Sequence, residues 1–471
     1  MFLNILLISS TFFRNNLFTL CHLIYTDTFY MKRKWIRWVS WILLTPIILF
    51  VILMVLLYVP PVQNLLRREV TAYASKATGM QIQVERIDLR FPLNLLVRGV
   101  EVIQQPDTLL SLESLNVRVQ AWPLIKGKVE VDEVTLSRVA VNSANLMEGM
   151  KIKGVLGRFF LQSHGVDLSN EIAIINQAEL SDTHVQLLMN DTTTTPKDTT
   201  ASAPVNWKVD LHQLKLKNVS FSMQLPVDSM RMAAHIGEAA IDDAQADLKN
   251  QFYGLKKFLL SGTSASYDTG TAQPIEGFDA SHIAVRDVRI ALDSLLYKGR
   301  DMNAVIREFT MNERSGLSVV SLTGRAYSND SIISVPGLKL KTPHSEIDLS
   351  AHTYWELVNI PTTGRLSANL NAYIGKEDVM LFAGGLPDSF KEAYPFRPLV
   401  IRAGTDGNLK QMQISRFTVD LPGAFALEGG GMIENLADSL TRTGTIGLKM
   451  TTQNLNFLTA LSGEAPNCLL Y

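Results

Sequence analysis

The 471 residues carry 44 Lys and Arg against 45 Asp and Glu, a net charge of −1 that excludes a polyanion binder held by bulk electrostatics. Charged residues make up only 19% while apolar ones are an ordinary 46%; Ser, Thr, Asn, Gln and Gly fill the difference, a mixture better suited to β-structure than to long surface helices. The two cysteines, Cys21 and Cys468, lie near opposite ends, which excludes a disulfide framework, a zinc ribbon or an iron–sulfur cluster within residues 22–467.

Residues 1–30 are apolar in patches interrupted by Asn4, Arg14, Asn15 and Asn16. They read as a leader extension upstream of a natural start at Met31, the alternative being a second short hydrophobic segment. Trp38–Val59 is a run of 22 uncharged residues. At ~1.5 Å per residue it reaches about 33 Å, enough for the hydrocarbon core of a bilayer. Lys32, Arg33, Lys34 and Arg37 precede it, so the positive-inside rule places the N-terminus in the cytoplasm and the rest across the membrane. The run exceeds a signal-peptide core of about 7–15 residues, and no small-residue cleavage site follows. Residues 31–60 therefore read as an uncleaved signal anchor, a single transmembrane helix.

Pro60 and Pro61 open a short amphipathic helix over 61–78, with Val62, Leu65, Leu66, Tyr73 and Ala77 near one face and Gly79 placed to end it. The period then changes. VEVDEVTLSRVAV (129–141), VDLHQLKLKNVSF (209–221) and FDASHIAVRDVRI (278–290) share apolar steps of 2, 3, 2, 3, 2. The positions are Val129, Val131, Val134, Leu136, Val139 and Val141; then Val209, Leu211, Leu214, Leu216, Val219 and Phe221; then Phe278, Ala280, Ile283, Val285, Val288 and Ile290. A helix would repeat at i, i+3, i+4, i+7. Strict alternation would keep one face apolar, so each three-residue step requires a β-bulge or a short turn between very short strands.

Strand-like stretches continue to Ile446/Leu448/Met450, and residues 336–351 and 416–430 both read as strand, Pro-containing turn, strand. Helix is expected only over 62–77 and near 250–260, 377–394 and 432–440. Residues 190–204 (NDTTTTPKDTTASAP) form a linker between a β region at 79–189 and a longer one at 205–471.

Catalytic and cofactor signals are missing. No two of the eight histidines are spaced i, i+4, and there is no P-loop and no G-x-S-x-G elbow. Gly429-Gly430-Gly431 follows a strand without a phosphate-binding helix after it and reads as a turn or bulge. No catalytic, cofactor or metal residue is assigned, and the protein is not expected to be an enzyme. The apolar alternation is what sheet packed on sheet also shows. With so little helix to cover it, a long one-sided sheet must close on itself, pair with itself or bind something apolar.

From ATGMQIQVERIDLRF (77–91) through VEVDEVTLSRVAVN (129–142), after an anchor and a short helix, the chain resembles the N-terminal region of the AsmA-like superfamily, its TamB-like branch in particular. AYIGKEDVMLFAGGLP (372–387) is similar to TamB-like proteins of Gram-negative bacteria, Bacteroidetes among them. The resemblance implies a mostly β fold: an N-terminal transmembrane helix, then an elongated, twisted, repetitive β-sheet trough (a β-taco) with few short helices. It implies an inner-membrane anchor with the bulk of the chain in the periplasm, and phospholipid as cargo. It also implies support of outer-membrane protein assembly with an outer-membrane β-barrel partner, and no nucleic acid. The three cadences are then lipid-groove candidates, and Lys32, Arg33, Lys34 and Arg37 set topology. TamB-like chains are usually longer, and the cadence breaks after Gly463, as expected of a truncated chain. A β-strand-pairing scaffold for outer-membrane protein assembly is the alternative expectation.

Overall fold

A computed structural model describes residues 58–90, 93–104, 107–120, 130–143, 150–167, 170–189, 206–226 and 229–460, with seven positions of the preceding run, Trp41, Leu44, Thr45, Ile48, Val51, Ile52 and Val55. Residues 1–30, the four topology-setting cations, most of 38–59, Val129, the linker 190–204 and the end from 461 lie outside the described residues. The seven positions are helical, with exposed side chains. Among the described residues no helix is long and apolar enough to cross a membrane.

Helix α1 (Pro60–Thr78) begins on the two prolines and ends at Gly79, whose φ of 70° places it in the left-handed region while its N–H binds Ser75 O, as the sequence predicts. Twenty strands follow: β1 (Gln81–Arg90), β2 (Asn94–Gln104), β3 (Asp107–Val119), β4 (Val131–Asn142), β5 (Met150–Asp167), β6 (Ile172–Met189), β7 (Lys208–Leu225), β8 (Met230–Asp247), β9 (Phe252–Asp268) and β10 (His282–Lys298), then β11 (Asp301–Glu313), β12 (Ser318–Val319), β13 (Ser321–Ser328), β14 (Ile332–Lys341), β15 (Glu346–Tyr354), β16 (Leu366–Ile374), β17 (Leu399–Gly407), β18 (Gln411–Leu421), β19 (Phe425–Glu434) and β20 (Thr443–Thr452). Short helices α2 (Trp355–Asn359), α3 (Lys376–Phe382), α4 (Asp388–Ala393) and α5 (Asn456–Thr459) complete the elements of the described residues. Strands hold 66% of the described residues and form one long, twisted, open sheet.

Neighbours in the sheet are neighbours in sequence, except that β11 pairs with β13 as well as with the two-residue β12, and all pairs are antiparallel except β6–β7. A parallel pair needs a connection that travels back the length of a strand. That requirement accounts for the long segment between Met189 and Lys208, which its Thr-rich composition alone did not explain.

Most of the three-residue steps are not turns, because β5 to β10 run through them as strands of 17 or 18 residues; the step from Ala280 to Ile283 is a turn before β10. Nor is each one a two-against-one bulge. From β1 to β9 the step between Leu136 and Val139, and its equivalents, occurs in every strand at the same register. Val97–Val100 faces Leu115–Leu112, and Leu216–Val219 faces Ala239–Ile236. The ladder therefore crosses this corner without a slip. In five of these nine strands the extra backbone is absorbed by a residue at positive φ, the second of the two intervening ones: Gly99, Arg138, Asp182, Asn218 and Gly262. Gly, Asn and Asp tolerate that conformation best. The corner is also tied sideways, by Asn218 Nδ2 donating to Asp182 Oδ1 at 2.7 Å and by an Arg138–Glu113 ion pair. Gly237 is required there, since a Cβ would stand 2.8 Å from Gly262 O. A second corner passes between Leu211 and Leu214 and is matched in β6 to β10. True bulges occur elsewhere, for example between Ile414 and Phe417 opposite Gly429–Gly431, so the triple glycine lies within a strand.

Two helix expectations fail. Residues 252–268 are strand β9, because Tyr253, Leu255, Phe258 and Leu260 follow the 2, 3, 2 cadence, which mimics helical spacing over short range. Beyond Glu434, Asn435 has φ 51° and Asp438 accepts hydrogen bonds from Leu440 N and Thr441 Oγ1, so the apolar spacing of 432–440 is broken by a turn. The expected helix near 377–394 is present as α3 and α4.

Candidate functional site

Register turns the cadence into rows that cross the whole sheet. One floor row starts at Leu89 and passes Leu95, Val117, Val134, Leu161, Ala178, Leu214, Ile241 and Phe258. It continues through Leu292, Ile306, Gly324, Leu338, Leu349 and Leu370 to Leu448. Every strand except β12 contributes one residue, and each is apolar or glycine. A second row runs beside it from Ile87 through Leu136, Phe159, Leu180, Leu216, Ala239, Leu260 and Ile290 to Phe309.

The predicted residues fall into this frame. Val134, Leu136, Leu214, Leu216 and Ile290 lie on the two floor rows. Val139, Val141, Val219, Phe221, Ile283, Val285 and Val288 line the wall beyond the first corner, and Val131, Val209 and Leu211 the wall beyond the second. Phe278 is not on a strand. It precedes β10 in a loop, where its N–H binds Leu381 O at 2.7 Å and its ring sits 5.4 Å from that of Phe382. Sequence reading missed Leu161, Ala178, Leu180, Ala239, Ile241, Phe258, Leu292 and Ile306; β6 and β8 keep the cadence with Ala and Thr, which carry little apolar signal.

The rows are not a covered core. Val134, Leu161, Leu214, Ile241, Phe258, Leu292 and Ile306 are all only half-buried. Opposing sheets in a sandwich would bury them fully. Among the described residues the compact buried cluster is elsewhere: Ala383, Phe390 and Tyr394 of the α3–α4 segment pack with Leu421, Ala424 and Phe457. Leu399, Leu421 and Phe425 lie two residues beyond Ile401, Val419 and Leu427 and so share the apolar face. In β16 to β20, where strands are short, these helices stand in for the wall that the longer strands supply before them. Asp378 fixes the start of α3 by accepting hydrogen bonds from Thr342 and Ser345.

Two charged sites lie at strand ends, off the floor rows. Glu313 stands opposite Val285; burial pushes its carboxyl up, but hydrogen bonds from Ser315 and the amide of Ala284 hold it below its ordinary value overall. At the start of β10, His282 lies 2.8 Å from Asp279 of the preceding loop, and this bond with those from Ser281 and Ile275 lowers the Asp279 carboxyl. Among the described residues no group of three His, Cys, Asp or Glu is placed to hold a metal.

Fold and rows together define an open, elongated β-trough with an accessible apolar floor. Models of known protein families give no match to the chain, and no curated protein sequence matches it.

Proposed function

We propose that the chain is a membrane-anchored lipid trough, of the AsmA/TamB-like kind that its N-terminal region resembles, carrying phospholipids between the inner and outer membranes and supporting outer-membrane protein assembly. The observation that carries this reading is the unbroken, accessible floor row from Leu89 to Leu448. Eighteen strand steps of ~4.8 Å give it a contour of about 86 Å. An acyl tail on such a floor gains about 0.8 kcal/mol per methylene removed from water. A tail leaving one strand meets equivalent apolar side chains on the next, so sliding needs no large step in free energy. The anchor reading draws support from the exposed apolar side chains of Trp41, Leu44, Ile48, Val51, Ile52 and Val55.

Transfer of fluorescent phospholipid between vesicles carrying the full chain and acceptor vesicles tests this. It should exceed the chain-free rate and be lost on replacing Leu136 and Leu216 with Asp. Transfer at the chain-free rate would refute the reading.

A second reading, a strand-pairing scaffold, is favoured by β20. Among the described residues nothing pairs with its outer edge, and Ile446, Leu448 and Met450 are exposed. Cross-links from β20 to a β-rich client that survive loss of lipid transfer would select it.

A further inference from the structure

The two edges of the sheet are treated differently, and the covered one bears on how the trough meets a membrane. Helix α1 runs antiparallel along β1 and binds its backbone through side chains spread over three turns. Gln63 donates to Leu89 O at 3.2 Å, Arg67 to Glu85 O at 2.8 Å, and Ser75 Oγ accepts from Ile82 N at 3.1 Å. The opposite side of α1 has no partner. Leu65 is 59% exposed and Tyr73 77% exposed, with the cations Arg68 and Lys76 exposed beside them.

The helix also has no linker before it. Val59, the last residue of the uncharged run, is its N-cap, held extended at φ −79° and ψ 130°, and Pro60 follows at once. Extended Val59 therefore sets α1 at an angle to the run at the point where the run would leave the bilayer. The first turn of α1 cannot stand more than a few residues from the headgroups.

We infer that α1 is an interfacial helix lying on the bilayer surface and that it stands the sheet upright. Its apolar side chains enter the headgroup boundary, where Tyr is favoured and Arg and Lys meet lipid phosphate. Because β1 runs along α1, β1 is held parallel to the bilayer, and the ladder of strands climbs away from it. The floor rows then begin at the membrane surface, with Leu89 and Ile87 nearest the lipid. This rests on the anchor reading and fixes the groove mouth.

The test uses the full chain in vesicles of phosphatidylethanolamine and phosphatidylglycerol. Cys21 and Cys468 are replaced by Ser, and one environment-sensitive fluorophore is attached at Ile48→Cys, Leu65→Cys, Tyr73→Cys or Leu440→Cys. All four positions are exposed, so labelling leaves the packing intact. Probes at 48, 65 and 73 should be blue-shifted and quenched by spin-labelled lipid several-fold more than the probe at 440. Quenching at 48 but not at 65 and 73 overturns the interfacial helix and leaves the anchor standing. A water-like signal at 48 removes the anchor and the inference together. Quenching at 440 as strong as at 65 shows the sheet lying flat and overturns the upright placement.

Discussion

Replacing Leu214 and Leu216 together with Asp puts two carboxylates across the floor at β7. Leu214 lies between Ala178 and Ile241, and Leu216 between Leu180 and Ala239, so no neighbouring floor position on this strand offers a detour. A strand step of ~4.8 Å accommodates about four methylenes, and at ~0.8 kcal/mol each the tail loses about 3 kcal/mol on this strand, on the order of 100-fold in occupancy. The fold should lose less. Both leucines are only half-buried in the free protein, so their transfer contribution is about 1 kcal/mol each. The control is Ser220→Asp with Ser222→Asp, which places the same charges on the same strand but on the opposite face. Phospholipid extracted from the purified chain should fall sharply in the leucine variant and stay unchanged in the serine variant, with the same far-ultraviolet sheet signal in both. A leucine variant that keeps the full lipid load and an intact sheet would refute the use of the floor by acyl tails.

Three further outcomes follow from the architecture. Asn218→Gly and Asn218→Val both lose the bond to Asp182, so their difference isolates backbone strain: the Val variant should be about 1–3 kcal/mol less stable than the Gly variant in urea, since a β-branched residue is strained at φ 53°; equal midpoints would contradict the corner argument. Leu421→Ala, at a side chain only 1% exposed, should cost about 2–5 kcal/mol locally. Hydrogen exchange should then rise in 376–398 but not in β1 to β8, because each strand contacts only its neighbours; uniform loosening would argue against that modularity. The lowered carboxyl of Asp279 gives a pH signature. Its contribution is complete above the unfolded value of about 3.9 and is lost as pH falls through the lower folded value. Exchange in 275–282 should therefore stay slow through neutral pH and rise only in strong acid, and Asp279→Asn should remove that dependence. Release already near neutrality would contradict the assignment.

Much of the trough was legible because its cadence reads the same in both directions. The steps 2, 3, 2, 3, 2 survive reversal, so strands running either way show one pattern; Val134 and Leu214, on two strands that run in the same direction, share a row at the same place in the cadence. Reversal also shifts what the third copy means: β10 runs opposite to β7, and its positive-φ residue Asp287 falls one step off the corner, where the register slips. The residues that alternation alone could not reveal are those that fill a row without being strongly apolar, such as Ala178, Thr183 and Ala239. Phe278 looked like part of the cadence because Asp279, which ends the loop rather than opening the strand, leaves apolar spacing untouched. The helical wall was visible as an interruption at 377–394 but not as a wall, because only packing against Leu421 and Phe457 gives it that place. That the steps are matched corners rather than separate bulges depends on register between strands, which no single segment contains.

The central claim is that lipid lies along the floor rows over their whole length. The direct measurement is photo-cross-linking with benzoylphenylalanine placed one site at a time at Val117, Leu214, Ile306 and Leu370 on the row, and at Asn116, Lys215, Arg307 and Asn369 on the other face. Phospholipid adducts are predicted at all four row positions and not at their neighbours. Adducts equal on both faces, or present at Val117 and absent from the other three, would contradict a continuous lipid trough.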